Sequence, residues 1–193
     1  MSPGTSTIGS IGATFRAQKA LAEKALAQIS DAHLHAPLSP DTNSVGVIVK
    51  HMSGNLLSRF TDFLTTDGEK PRRHRDNEFI EDHAPREEIM RRWEHAWSCL
   101  FAALDPLTDA DLARTVLIRS EPHSVALALH RALAHQSYHV GQIVQACRVF
   151  AGDRWNTLTI PRGGSAAFNA QKGHAPQISP STNSTEFPAG SRT

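Results

Sequence analysis

The apolar residues of this chain recur at helical spacing in four long segments. Residues 8–30 form the first, and a second runs to about Thr66. A third segment spans 85–104 and a fourth spans 122–151. The residues that could cap the start of the second helix are Asp41, Thr42, Asn43 and Ser44. The pattern therefore predicts four amphipathic helices of roughly 20 to 30 residues.

Strand signals are scarce, and a short extended piece is expected only around Thr115 to Arg119, before the fourth helix. An all-α fold, a four-helix bundle, is the architecture that this pattern favours. The length of 193 residues suits one domain, which we place at residues 8–170. Residues 1–7 and the Gly-, Ser- and Pro-rich tail 171–193 are expected to be disordered.

The charge balance argues against binding to nucleic acid. The formal net charge is +1, and the charged segment 67–78 has as many acidic as basic residues, so we expect a salt-bridged loop that holds the second helix. No apolar run is long enough to span a membrane. Two cysteines and a start without signal-peptide features predict a cytoplasmic protein with no disulfide framework.

The stretch LAHQSYHVGQIVQA, residues 133–146, puts two imidazoles in the middle of the fourth helix. A helical residue advances about 100°, so His135 and His139 lie about 40° apart, at the edge of the buried face. Two ring nitrogens at this spacing can reach one divalent cation at about 2.0–2.1 Å. The alternative is a pair of core-edge histidines that bond to carbonyl groups or to water.

A third imidazole is available on the second helix, within VGVIVKHMSGNLLSRF. His51 lies at the edge of the apolar face, on one line with Asn55 and Arg59. Such a polar line must face a cleft or another polar line, and the His135–His139 edge is its natural partner. Three histidine ligands would leave open coordination positions on a metal, as in reactive sites. The alternative is that His51 is an ordinary, partly exposed helix histidine that binds no metal. The other histidines share no face and are expected to be structural or solvated: His33, His35, His74, His83, His95, His123, His130 and His174.

Two known classes of helical metal site do not fit. The HExxH metalloproteases need glutamate directly after the first histidine, and this chain has Gln136 there. The Glu-x-x-His pairs of di-iron bundles are missing from these helices.

Four segments, VGVIVKHMSGNLLSRF, DGEKPRRHRDNEF, HQSYHVGQI and TIPRGGSAAFN, resemble the DinB-like (YfiT-like) superfamily over roughly residues 8–170. Within it, they look most like a branch known only as a domain of unknown function. The resemblance implies a four-helix bundle in up-down-down-up order and a homodimer. It also implies a divalent metal, zinc or nickel, held by His51, His135 and His139.

Characterised relatives include thiol-dependent transferases and isomerases that use low-molecular-weight thiols such as bacillithiol or mycothiol. This chain departs from them in SGNLLSR and RRHRD, which resemble the uncharacterised branch instead.

A metal held by three neutral imidazoles would lower the pKa of a bound water or thiol. Beside it, Asn55 would orient a water or substrate, Arg59 would pair with a substrate carboxylate, and Tyr138 would donate a hydrogen bond. In the structural alternatives, Asn55 only supports His51 and Tyr138 packs on the solvent side of its helix. Arg59 would then bond one of three acidic residues: Asp62, Asp67 or Glu78.

The leading hypothesis is a metal-dependent enzyme, a thiol transferase or a hydrolase, that acts on a small molecule with a low-molecular-weight thiol as cosubstrate. No residue is assigned to an organic cofactor. The rival hypothesis is a non-catalytic bundle in which a metal or small molecule serves stability, sensing or storage.

Overall fold

The computed structural model describes residues 6–173, and most of these are helical. The helices are α1 (Thr7–Leu26), α2 (Asp31–His35), α3 (Val45–Phe60), α4 (Arg86–Leu104), α5 (Val125–Ala151) and α6 (Ser165–Gln171). Short 3-10 helices cover Arg75–Phe79, Asp109–Ala113 and Gly152–Arg154. Two strands, β1 (Thr115–Ile118) and β2 (Glu121–Ser124), form an antiparallel hairpin. The predicted disordered ends lie outside the described residues, apart from residues 6–7 and 171–173.

Serine side chains begin three of the long helices. The hydroxyl groups of Ser6, Ser44 and Ser124 each accept a hydrogen bond from the backbone N–H three residues ahead. This bond satisfies one of the amide groups that a helix start leaves free. Among the four cap candidates of the second predicted helix, Ser44 therefore takes the position.

Packing between the long helices places the candidate site. α3 packs against both α4 and α5, while α1 packs against α5 and more lightly against α4. Trp93 and Trp97 of α4 are fully buried, and Phe15 of α1 meets Trp97 edge to face. The apolar faces predicted from helical spacing thus form a common core, and α3 and α5 come into direct contact.

Two helix boundaries differ from the sequence prediction. The predicted helix 8–30 is interrupted, because α1 ends at Leu26 and Ser30 caps the separate helix α2. α3 ends at Phe60 rather than near Thr66, because Asp62 has a positive φ of 48° and the chain turns away. Ser58 then donates a hydrogen bond to the carbonyl of Gly68 and stabilises this turn.

The extended piece expected around Thr115 to Arg119 is confirmed as β1. Its pairing with β2 was not predicted, because residues from 122 onward were assigned to the fourth helix, which begins at Val125. The two turn residues of the hairpin, Arg119 and Ser120, both have positive φ, 56° and 63°, although neither is glycine or asparagine. The carboxylate of Asp67 accepts hydrogen bonds from both backbone amides, at 2.8 and 2.6 Å. A contact between distant parts of the chain therefore stabilises a turn that its own residues disfavour.

Two compact units divide the chain, the first ending at Asn156 and the second beginning at Thr157. The described part of the second unit contains α6, whose Phe168 is exposed. No helix among residues 6–173 combines the length and the apolar character needed to cross a membrane. The placement of one domain at residues 8–170 stays a prediction.

The Asp67 contact predicts a pH-dependent stability. Hydrogen bonds from the backbone amides of Glu69, Ser120 and Arg119 lower the pKa of this carboxyl group. Its stabilising effect is therefore present above the unfolded-state pKa, about 3.9, and is lost as the pH falls through the lower folded-state pKa. We expect Asp67→Asn to lower the free energy of unfolding by about 1 kcal/mol near neutral pH. The deficit should shrink below about pH 4.

Urea unfolding at several pH values measures this effect. Asp153→Asn is the matched control, because Asp153 is exposed and its carboxylate accepts no hydrogen bond within the described residues. A deficit for Asp67→Asn that persists unchanged at low pH would contradict the role given to its charge.

Candidate metal centre

The structure brings together the three histidines that the sequence singled out. His51 is buried on α3, while His135 and His139 are half-buried on α5. One ring nitrogen from each lies within 4.8 Å of the others, and Nε2 of His51 is 3.1 Å from Nε2 of His135. Zinc–nitrogen bonds of about 2.0–2.1 Å in tetrahedral geometry would put ligand nitrogens about 3.4 Å apart. The cluster is therefore close to the size that one ion requires.

A buried carboxylate orients His51. Oε2 of Glu78 lies 2.9 Å from Nδ1 of His51, and Arg73 donates two hydrogen bonds to the same carboxylate at 2.8 and 2.9 Å. Burial alone would raise the pKa of Glu78, but the hydrogen bonds from His51 and Arg73 outweigh it, and the pKa is lowered. An ionised carboxylate only accepts hydrogen bonds, so Nδ1 of His51 carries the proton. In the neutral ring, Nε2 then keeps its lone pair for the cluster.

Gln142 orients His139 in the same way. Its Oε1 lies 2.7 Å from Nδ1 of His139, so Nδ1 donates and Nε2 is left as the acceptor. Burial lowers the pKa of His139, although the bond to Gln142 opposes this effect. The neutral imidazole, which is the metal-binding form, is favoured.

The third ring, His135, must move its proton from Nε2 to Nδ1 before its Nε2 can bind an ion. Nε2 of Gln136 approaches its Nδ1 at 3.4 Å, an arrangement that leaves the proton of His135 on Nε2, facing His51. The Oε1 atom of Gln136 is buried and has no hydrogen-bond partner within residues 6–173. If the side-chain amide of Gln136 rotated by 180°, its Oε1 would accept a hydrogen bond from a protonated Nδ1 of His135. Nε2 of His135 would then be free to bind an ion. The unpaired oxygen therefore fits a centre in which all three rings present Nε2.

Burial of His135 also disfavours its protonation. Burial and the neighbouring His139 and His51 lower the pKa of His135 to about 3. Near neutral pH its ring carries no charge, which suits a ligand of a divalent cation.

Gly54 and Glu78 are site residues that sequence reasoning missed. A Cβ atom at position 54 would lie 2.2 Å from Oε1 of Glu78, so only glycine lets this carboxylate reach α3. A glycine inside a helix, one turn after a candidate ligand, is the signal that could have shown a close approach. The expected salt-bridged loop exists, through Arg73–Glu78 and Arg59–Glu69.

The three candidate residues around the cluster have different surroundings. Asn55 is buried, with 9% of its surface exposed, and its side-chain amide makes no hydrogen bond within the described residues. Arg59 donates two hydrogen bonds to the carboxylate of Glu69, at 3.1 and 3.2 Å, and not to the expected Asp62, Asp67 or Glu78. Tyr138 is 64% exposed, and its ring edge contacts His139 with 5.0 Å between centroids.

A cavity of about 130 Å³ adjoins the cluster at His135. Its polar lining includes Asn55, Arg59 and Arg131, while its apolar lining comes from α3, α5 and the hairpin region. A larger cavity of about 520 Å³ is lined in part by Glu78 but by no histidine of the cluster. The smaller cavity is therefore the space that a molecule beside the three histidines would occupy.

Comparison with known proteins identifies a matching family. The model of a family described as "Protein of unknown function (DUF1572)" matches residues 3–164. No match was found among curated proteins or among solved structures.

The contact between Gly54 and Glu78 predicts an unusual effect of alanine. Alanine favours a helix over glycine by about 1 kcal/mol, but the methyl group of Gly54→Ala would push Glu78 away from His51 and Arg73. We expect this variant to lose about 1–3 kcal/mol of unfolding free energy, which urea titration measures.

Gly12→Ala is the matched control, because nothing lies within 4 Å of a Cβ atom at this position in α1. It should gain about 0.5–1 kcal/mol. Equal gains in both variants would contradict the close approach of Glu78.

Proposed function

The chain belongs to the DUF1572 family, and we propose that it is a metal-dependent enzyme in which His51, His135 and His139 hold one divalent ion. We further propose the DinB-like superfamily as its wider group, with the four long helices as a bundle in up-down-down-up order. The resemblance of four ordered sequence motifs supports that assignment, and so does the origin of the histidines in the second and fourth long helices.

The observation that carries the proposal is the convergence of the three rings. Nδ1 of His51 and Nδ1 of His139 are engaged by Glu78 and Gln142, so Nε2 of each is left toward the cluster. Histidines that only packed at the edge of the core would each need a single hydrogen-bond partner. Their remaining ring nitrogens would not need to converge. This arrangement favours a shared ligand over three separate structural roles.

Zinc or nickel is the ion that we propose, because three imidazoles are ligands of late transition metals. A bound ion of this type lowers the pKa of a water or thiol ligand and so supplies a nucleophile near neutral pH. The protein would hold it with neutral ligands, while Glu78 and Arg73 compensate each other's charge. Glu78 thus keeps the His51 ring in position without reducing the charge of the ion directly.

A small molecule with a low-molecular-weight thiol as cosubstrate is the substrate class that we propose. The free amide of Asn55 lines the cavity and would orient a polar group there. Arg59 also lines it, but its guanidinium group already pairs with Glu69. A substrate carboxylate would have to share this positive charge with Glu69. Tyr138 does not line this cavity, and it would act only if its ring turned inward.

One observation favours the non-catalytic alternative. Ligand pockets usually enclose about 300–1,000 Å³, and the cavity beside His135 measures about 130 Å³. A centre with so little adjoining space would suit an ion that serves stability, sensing or storage.

Metal content and turnover separate the two functions. Protein prepared without a His tag should lose one equivalent of metal per chain in His139→Ala, as measured by elemental analysis. Thiol-dependent turnover of electrophiles should disappear in the same variant, because the ring is a ligand. His130→Ala is the matched control, since His130 is an exposed residue of the same helix.

Unchanged metal content in His139→Ala would contradict the three-histidine centre. A metal that raises the melting temperature without any turnover would support the non-catalytic alternative.

We also propose a cytoplasmic homodimer. Leu127, Tyr138 and Val149 of α5 are 47%, 64% and 54% exposed, and their spacing of eleven residues keeps them within about 40° of one another around the helix. An exposed apolar line on one helix suits a second copy of the chain.

Sedimentation equilibrium should give twice the monomer mass, and Val149→Glu should shift the protein to monomers. A monomeric native chain would contradict this proposal.

A further inference from the structure

A second cluster of metal-ligating side chains lies outside the three-histidine site. It consists of His35, the last residue of α2, with Glu81 and His83 from the segment before α4. One ligating atom of each lies within 4.8 Å of the others. The sequence predicts both histidines to be structural or solvated, because they share no helix face.

Glu81 is the centre of this cluster. Its Oε1 lies 2.9 Å from Nδ1 of His35 and accepts the backbone N–H of His83 at 3.1 Å. Its other oxygen accepts a hydrogen bond from Ser44, the cap of α3. The carboxylate is therefore held in one orientation before any ion arrives, which reduces the entropy lost on binding.

The charge of Glu81 also distinguishes it from its neighbours. Within residues 6–173 no lysine or arginine lies within salt-bridge distance of it, whereas Asp82 pairs with Lys50 and Arg92 at 3.1 and 3.0 Å. Glu81 thus faces two imidazoles and keeps a negative charge that a cation could neutralise.

Two backbone features bring the histidines to this carboxylate. Gly46 lets α2 approach α3, since a Cβ atom there would lie 3.2 Å from the carbonyl of Leu34. His83 has a positive φ of 49°, which is unfavourable for a residue with a side chain, and its ring centroid lies 5.3 Å from that of His35. Its ring makes no hydrogen bond within the described residues.

We propose that His35, Glu81 and His83 form a second site for a divalent transition metal ion. Two imidazoles and one carboxylate match ligand sets for zinc and related ions, with water in the open positions. A site made mainly of nitrogen ligands disfavours magnesium and calcium, which prefer oxygen. An ion there would join the end of α2 to the segment before α4, and Glu81 already connects that segment to Ser44 at the start of α3.

The proposal does not depend on the three-histidine centre, and a variant that lacks that centre tests it. The probe is zinc chloride added to tag-free, metal-stripped His139→Ala, with binding followed by isothermal titration calorimetry. We expect one equivalent to bind in this background. The double variant His139→Ala/His83→Ala should bind none, because one of the three ligands is gone.

His139→Ala/His74→Ala is the matched control, because His74 is exposed and belongs to neither cluster; it should keep its one equivalent. Circular dichroism checks that each variant is folded. If His139→Ala/His83→Ala does not fold, His139→Ala/Glu81→Gln replaces it, with an expected loss of affinity of at least tenfold. No zinc binding in His139→Ala, or equal binding after loss of His83 or of the Glu81 charge, would overturn the proposal.

Discussion

The buried carboxylate of Glu78 is the constraint on which the three-histidine centre depends. A buried negative charge is costly unless it is paired, and Arg73 pairs with it through two hydrogen bonds. The ionised carboxylate then fixes the proton of His51 on Nδ1 and leaves Nε2 toward His135. This contact needs the missing side chain of Gly54, so one glycine in α3 is part of the centre although it binds nothing itself.

Three carboxylates in the segment that joins α3 to α4 each hold this segment to another part of the structure. Asp67 holds the hairpin turn, Glu78 orients His51, and Glu81 connects Ser44 with His35. In each case one side chain crosses to another element and accepts two or more hydrogen bonds. The segment has almost no regular structure, yet these bonds fix it against the helices around it.

The two histidine clusters differ in how they would treat an ion. In the three-histidine centre all donors are neutral, and the nearby Glu78 is already compensated by Arg73, so an ion would keep its full charge. At the second cluster Glu81 itself would be a ligand and would reduce that charge by one. The first arrangement suits activation of a bound group, and the second suits a link between segments.

Local sequence determined the helices and part of the centre. Helical spacing predicted α4 to within one residue, serine was among the predicted caps of α3, and four-residue spacing put His135 and His139 on one face of α5. These features depend on residues within one or two turns of each other, so they can be read along the chain.

Tertiary structure alone decided the rest. The Asp67 contact that stabilises the hairpin turn and the meeting of His35 with His83 join residues far apart in the sequence. The early end of α3 and the Arg59–Glu69 pair involve residues only about ten positions apart, but they depend on how the loop after α3 folds back. Glu78 follows His51 by 27 residues and reaches it only because the intervening loop folds back over Gly54. Periodicity describes which face a helix buries, but it does not say which distant side chain will meet that face.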